Sequence, residues 1–360
     1  MTRFALVFGL AAVVTACSSR SPEAVPVDAL TVDSPPVVYT DLVAFSDTYQ
    51  GTGGGNLTSC NAQQQIIGYV PVGAGAAPVF IYLAGTGGDI HGGDVDIYLR
   101  GAAAAGFVAA AFSYDAMGVG DCAGVTATNR WAPVLEKPKC MFDTGPAGPK
   151  DSAGHDLSAL GKLCSRQDLT NHVSADCSKG VVVMGHSQGG FIAMLAHNFD
   201  TRVQAAVGLA DSNKGDIAQL NLHFDFANCV DDPSKNALTL RTLDKSRLLL
   251  IHGANDSIAT LGPGPDRLDY IQAISGGPAS CGPSCLSSTG AGYYIVQPGD
   301  LLPPSQQGSQ NGHCFYQDAP TDCGTPYSQA NAGFDPNWLG GHGPASASAA
   351  GKFLTQFVTR

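Results

Sequence analysis

The residues best suited to covalent chemistry lie in Gly185-His186-Ser187-Gln188-Gly189. A serine hydroxyl attacks a carbonyl only when it is exposed, oriented and paired with a base. The pattern G-x-S-x-G meets the first two needs by holding the serine on a sharp turn between a strand and a helix. The flanks fit that context. Val181-Val182-Val183-Met184 is a short apolar run with β-branched residues and reads as a buried strand, and Phe191 to Ala196 reads as a helix. Glycine at 185 and 189 leaves room for the backbone of a strained turn. The N–H of Gln188, at the helix start, would lie where an oxyanion could be stabilised. The plainer reading is a Gly-Ser turn joining a buried strand to a buried helix.

A serine nucleophile needs a base and an acid to orient it, in the chain order Ser, acid, His. Asp256 follows the apolar strand Arg247–His252 in the exit Gly253-Ala254-Asn255-Asp256-Ser257, and is the first candidate acid. Asp211 also follows a strand, Val203–Leu209, and is the second. His313 and His342 come after Asp256. His313 is the first candidate base: it follows the last strand and adjoins Cys314, whose disulfide would pin its loop. His342 stands in Gly340-Gly341-His342-Gly343-Pro344, before the terminal helix. His252 precedes Asp256, and His186 is read as buried inside the turn, so neither is taken as the base. The second oxyanion donor is expected in Ala84-Gly85-Thr86-Gly87-Gly88, directly after the strand Val79–Leu83, with the N–H of Thr86 preferred and Gly87 next to it.

The elements that must position these residues read as alternating strands and helices. Strands are expected at 65–70, 79–83, 107–112, 181–184, 203–209, 247–252 and 293–296, and helices at 97–105, 152–167, 191–196, 266–275 and 345–358. Residues 121–150 carry several prolines and read as an irregular insertion that either walls a substrate site or covers the core. Residues after 212, to Leu243, read as an excursion or lid.

Arg3 followed by the apolar run Phe4–Val14 reads as a signal peptide, too short to span a bilayer as a helix. Val14-Thr15-Ala16-Cys17 resembles a bacterial lipobox, which implies a lipidated Cys17 holding the protein on a membrane. The organisation expected is a signal peptide at 1–17, a flexible tether at 18–50 and one domain over 51–360. The location expected is the bacterial cell envelope, as an outer-membrane lipoprotein, or the secreted fraction. Ten cysteines remain beyond Cys17, an even number suited to disulfides in an exported chain. Spacing suggests Cys122–Cys140, Cys164–Cys177, Cys281–Cys285, Cys314–Cys323 and Cys60–Cys229, without establishing any of them. No zinc-type cysteine and histidine spacing recurs. A net charge of −11 disfavours nucleic acid as a partner, and no protein partner is implied.

Taken together, the Gly185–Gly189 turn, the Asp256 loop and a late histidine resemble the α/β-hydrolase family, over roughly residues 60–360. The Ala84–Gly88 turn is similar to its oxyanion loop, with Ala84 where a histidine is usual. The resemblance implies an α/β fold with about eight mostly parallel strands and helices on both faces. It also implies a serine hydrolase acting on carboxylic esters of small molecules, lipids or polyesters without metal or organic cofactor. A peptidase or amidase using the same residues, and a non-catalytic cell-surface binding protein, are the alternatives.

Overall fold

The computed structural model describes residues 41–52, 60–73, 75–116, 132–146, 148–166, 174–211, 214–217, 222–225, 241–254, 256, 284–296, 313, 317–318, 333–334, 352–354 and 356–357. They belong to one compact unit, Pro36–Arg360. The expectations for Cys17 and the signal peptide, residues 117–131, the helix at 266–275 and His342 fall outside them.

The central strands of the sheet are short runs of β-branched and apolar residues buried on both faces; the described residues form thirteen strands in all. In chain order they are β1 (Leu42–Gly51), β2 (Ala62–Pro71), β3 (Val79–Leu83), β4 (Val108–Phe112), β5 (Val181–His186), β6 (Val203–Leu209), β7 (Lys214–Ile217), β8 (Leu222–Asp225), β9 (Leu248–Gly253), β10 (Ser284–Leu286), β11 (Gly292–Val296), β12 (Gln317–Asp318) and β13 (Gly333–Phe334). The helices are α1 (Gly93–Ala104), α2 (Ala132–Phe142), α3 (Ala159–Ser165) and α4 (Gln188–Ala196). Nine strands form one mixed sheet in the order β1-β2-β4-β3-β5-β6-β9-β11-β10. Pairing is parallel from β4 to β11 and antiparallel at both edges. β7 pairs with β8, and β12 with β13, as separate hairpin-like sheets. The α/β architecture expected from the sequence is present, with nine strands in the main sheet where about eight were expected.

The strand period of two sorts side chains between two cores. Phe80, Tyr82, Ala109, Ala111, Val182 and Met184 face one core with Tyr98 and Leu99 of α1 and with Phe353, Leu354 and Phe357. Val79, Ile81, Leu83, Val108, Ala110, Val181 and Val183 face the other with Phe142 of α2, Leu160 of α3 and Ile192 of α4. Both faces of the sheet are therefore covered by helical segments, and the C-terminal ends of the parallel strands stay available for the site.

Several local expectations are corrected. Residues 42–50, expected in the tether, form β1 together with Gly51, paired with β2 along its whole length. Its buried aromatics, Phe45 and Tyr49, are four apart with polar residues between them, so no strand alternation is legible. The insertion at 121–150 contains α2. Pro133 sits in its first turn, where a missing N–H costs nothing, while Pro138 interrupts the interior. Cys140, Met141 and Phe142 offset that interruption by burying their side chains. α3 is shorter than the expected 152–167. The carboxylate of Asp151 accepts the N–H groups of Ala153 and His155 in a turn, and Ser158 caps the helix by accepting from Gly161 N at 3.1 Å.

The disulfides are corrected in part. Cys164–Cys177 forms as expected. Cys140 pairs with Cys60 rather than Cys122, and Cys60 therefore does not pair with Cys229. The bond ties α2 to the chain entering β2, a contact that sequence separation hides. Cys285 is disulfide-bonded; Cys122, Cys229, Cys281, Cys314 and Cys323 lie outside the described residues.

Candidate active site

Ser187 sits between β5 and α4 with φ 53° and ψ −122°. Only Ser187 and Ala210, among the described non-glycine residues, have positive φ. Such a conformation costs energy and persists because its surroundings hold it. Ser187 N donates to Leu209 O at 2.8 Å, and Phe191 N donates to Ser187 O at 3.1 Å. The side chain makes no capping bond to the helix it precedes, so Oγ is not consumed by the fold. The glycines admit the turn by close approach. A Cβ on Gly185 would fall 2.2 Å from Gly189 O, and one on Gly189 would fall 2.2 Å from Leu83 O.

Asp256 and His313 meet. His313 Nδ1 donates to Asp256 Oδ2 at 2.7 Å, and both residues are buried. That bond places the proton on Nδ1 and leaves Nε2 as the acceptor nitrogen, the tautomer a general base requires. His313 is also fastened to the turn. His186 Nε2 donates to His313 O at 3.0 Å, and the two rings lie 4.8 Å apart. Burial, with His313 alongside, pushes the His186 imidazole down to about 3. His186 is thus neutral at ordinary pH and adds no positive charge beside His313.

His252 is a neighbour that chain order alone passed over. Its Nε2 lies 3.4 Å from Asp256 Oδ2, and both side chains are buried. The signal was present as a histidine and an aspartate four apart across a strand exit.

Asp211 is placed differently. It follows β6, and neither carboxyl oxygen has a partner among the described residues. Burial pushes its carboxyl up to about 7. Its carboxyl group lies against Gly208 and its Cβ against Gly190, underneath the start of α4. His313 takes its carboxylate from Asp256.

The other side of Ser187 is built by the loop after β3. A Cβ on Gly85 would fall 3.1 Å from Ser187 Cβ, so this loop runs against the nucleophile candidate. Gly88 N donates to Gly85 O at 2.9 Å, closing a turn with Thr86 and Gly87 at its centre. Gly87 has φ 70°, as the third residue of a type II turn requires. Tyr114 Oη donates to Ala84 O and braces the loop from β4. Gln188 and Thr86 are in contact: Gln188 Nε2 lies 3.4 Å from Thr86 Oγ1. Both are half-buried, open in part to the outside.

Lys137 completes this side, and no motif in the sequence marks it. It lies on α2, is only 2% exposed, and donates from Nζ to Gln188 Oε1 at 3.1 Å. Burial pushes its ammonium down to about 8 against the opposing pull of Asp115. A lysine in a segment that reads as irregular carries no sign that it will be buried.

No family model matches the chain, and no curated protein matches it. Among solved structures it is similar to one titled "Putative Dienelactone Hydrolase" from Klebsiella pneumoniae subsp. pneumoniae. The two are 15% identical, with 88% of this chain and 98% of that chain covered and a TM-score of 0.41.

Proposed function

We propose that the chain is a serine hydrolase cleaving carboxylic esters, with Ser187 as nucleophile, His313 as general base and Asp256 as the acid that orients it. The observation that carries this reading is the buried 2.7 Å hydrogen bond from His313 Nδ1 to Asp256, in a histidine whose backbone carbonyl accepts from His186, the residue before Ser187. His313 Nε2 takes the proton of Ser187 Oγ as Oγ attacks the ester carbonyl. The N–H groups of Gln188 and Thr86 hold the tetrahedral oxyanion. The imidazolium, stabilised by Asp256, protonates the leaving alcohol. Water enters, gives its proton to His313 and attacks the acyl-enzyme, and the acid product departs as Ser187 regains its proton. Each step uses side chains, backbone N–H groups and water. The substrate class is an ester of a small molecule, a lipid or a polyester. The disulfides support work outside the cytosol, with Cys17 as the proposed lipid anchor.

The test is labelling by a fluorophosphonate, read by peptide mass, together with turnover of p-nitrophenyl butyrate. Labelling falls on Ser187, and Ser187→Ala lowers kcat by about 10⁴-fold or more with an unchanged melting curve. Wild-type turnover in Ser187→Ala overturns the proposal.

A further inference from the structure

We infer that Thr86 offers the oxyanion its side-chain hydroxyl as well as its backbone N–H, and that Lys137, acting through Gln188, is the positioning residue that points this hydroxyl. The inference rests on the reading of Ser187 as nucleophile and goes beyond it.

The direction of the relay follows from hydrogen-bonding capacity. An ammonium only donates, so the amide group facing Lys137 Nζ at 3.1 Å is the carbonyl oxygen of Gln188. The Gln188 NH₂ is thereby turned toward Thr86 Oγ1, 3.4 Å away. An amide NH₂ only donates, so the Thr86 hydroxyl is the acceptor there and its own proton is left for another group. Among the described residues Thr86 Oγ1 has no second partner. Thr86 is half-buried in the loop that runs against Ser187, between a flank braced by Tyr114 and the first turn of α4. An oxygen turning negative above Ser187 is the acceptor this hydroxyl lacks. With Lys137 replaced by an apolar side chain the amide can turn over, and the hydroxyl then has an acceptor in the Gln188 carbonyl and no longer points at the substrate.

α2 is built to keep Lys137 in place. Three residues on, Cys140 is bonded to Cys60, and Met141 and Phe142 are buried in the core, with the Phe142 ring 6.0 Å from that of Phe112. The flexible lysine stem therefore starts from a fixed helix turn, and the cation reaches the amide without a mobile loop in between.

The experiment measures kcat and KM for p-nitrophenyl butyrate in Thr86→Val, Thr86→Ser, Lys137→Met and the double variant Thr86→Val/Lys137→Met. Fluorophosphonate labelling of Ser187 and thermal melts run alongside. Thr86→Val keeps the backbone N–H and the shape and loses only the hydroxyl. Its kcat falls by about 10² while KM stays within about twofold, the pattern of an interaction made in the transition state alone. Thr86→Ser restores most of the lost rate. Lys137→Met lowers kcat by about tenfold, and that effect disappears in the Thr86→Val background, because the lysine then has no hydroxyl to direct.

A Thr86→Val kcat equal to wild type, or an undiminished Lys137→Met effect in the Thr86→Val background, overturns the inference. Should Thr86→Val melt well below wild type, Thr86→Ser against Thr86→Ala makes the same comparison. Failure of the underlying reading looks different: Ser187 is then unlabelled and Ser187→Ala keeps its turnover.

Discussion

Asp211 and Asp256 are both buried carboxyls at strand exits, and replacing Asp211 with asparagine separates their roles. Asp211 is 1% exposed, and its carboxyl is raised from 3.8 to about 7 by burial. A folded-state value above the unfolded one means that the folded protein holds the proton more tightly. The burden on stability is absent below about pH 4, grows as pH rises, and is complete above pH 7, where both states are ionised. At about 1.4 kcal/mol per pH unit, a rise of that size costs about 4 kcal/mol at alkaline pH. Asparagine has nearly the same shape and never ionises. The assay is equilibrium urea unfolding of wild type and Asp211→Asn between pH 5 and pH 9, with disulfides intact. The stability of the variant relative to wild type rises by about 3 kcal/mol across that range, since roughly a third of the cost is already present at pH 5. Taking the difference cancels every titration the two proteins share. Ester turnover at pH 7 stays within about threefold of wild type, because His313 takes its carboxylate from Asp256. A stability difference that is flat with pH refutes the burial argument. A loss of turnover by about a thousandfold in a folded variant makes Asp211 the working acid and refutes the assignment of Asp256.

Asp256→Asn leaves the shape of the site and reverses the hydrogen-bonding sense at His313 Nδ1; kcat falls by about 10⁴-fold, measured by steady-state ester hydrolysis, and a loss below about tenfold contradicts the proposed role. On the acid side, burial pushes His186 down to about 3 and His197 to about 4. Unfolded histidines take up protons below about pH 6.5 while these two do not, so stability falls as pH drops from 6.5 toward 4, by up to about 1.4 kcal/mol per pH unit for each; urea midpoints in the His197→Gln variant show a shallower decline, and an unchanged slope counts against it. Gly189→Ala sets a methyl 2.2 Å from Leu83 O and 2.5 Å from Ala84 O, both backbone atoms. The turn at Ser187 then has to move: unfolding stability drops by about 3 kcal/mol and turnover falls by at least about a hundredfold, read from melts and ester assays, and a near-native variant argues against the packing described.

How far this arrangement could be read from residues alone depends on the range of the contact involved. β3 and β5 were legible because each is a continuous apolar run that both cores demand. The turn at Ser187 was legible because strand, glycine, serine and helix are contiguous, so one local stretch specifies the geometry. Asp256 and His313 could be nominated by chain order, but their meeting depends on the Asp256 loop and the His313 loop reaching the same end of the sheet. Its place after the last strand and the neighbouring Cys314 favoured His313 over His342, but neither feature specifies a contact with Asp256. β1 was missed because its buried aromatic side chains, Phe45 and Tyr49, stand four apart on an edge strand most of whose other positions are polar or only half-buried. α2 was missed because Pro133 and Pro138 break the helical pattern, whereas the forces that keep it helical, the bond to Cys60 and the burial of Phe142, come from elsewhere in the fold.

The same distinction explains why Lys137 was invisible and why it bears on the chemistry. A lysine is read as solvent-exposed unless something removes it from water, and here that something is a helix packed against α4 and tied down by a disulfide between residues 80 apart in sequence. The cost of desolvating the ammonium shows in its lowered pKa. A buried cation is retained at such a cost where its position is fixed and its hydrogen bonds are met. Lys137 donates to the side chain of the residue that follows Ser187 and lies 5.7 Å from the centre of the Tyr114 ring. The turn at Ser187 is therefore supported twice: by its own glycines, which the sequence displays, and by a cation from α2 on the Gln188 side chain, which only the folded chain brings there.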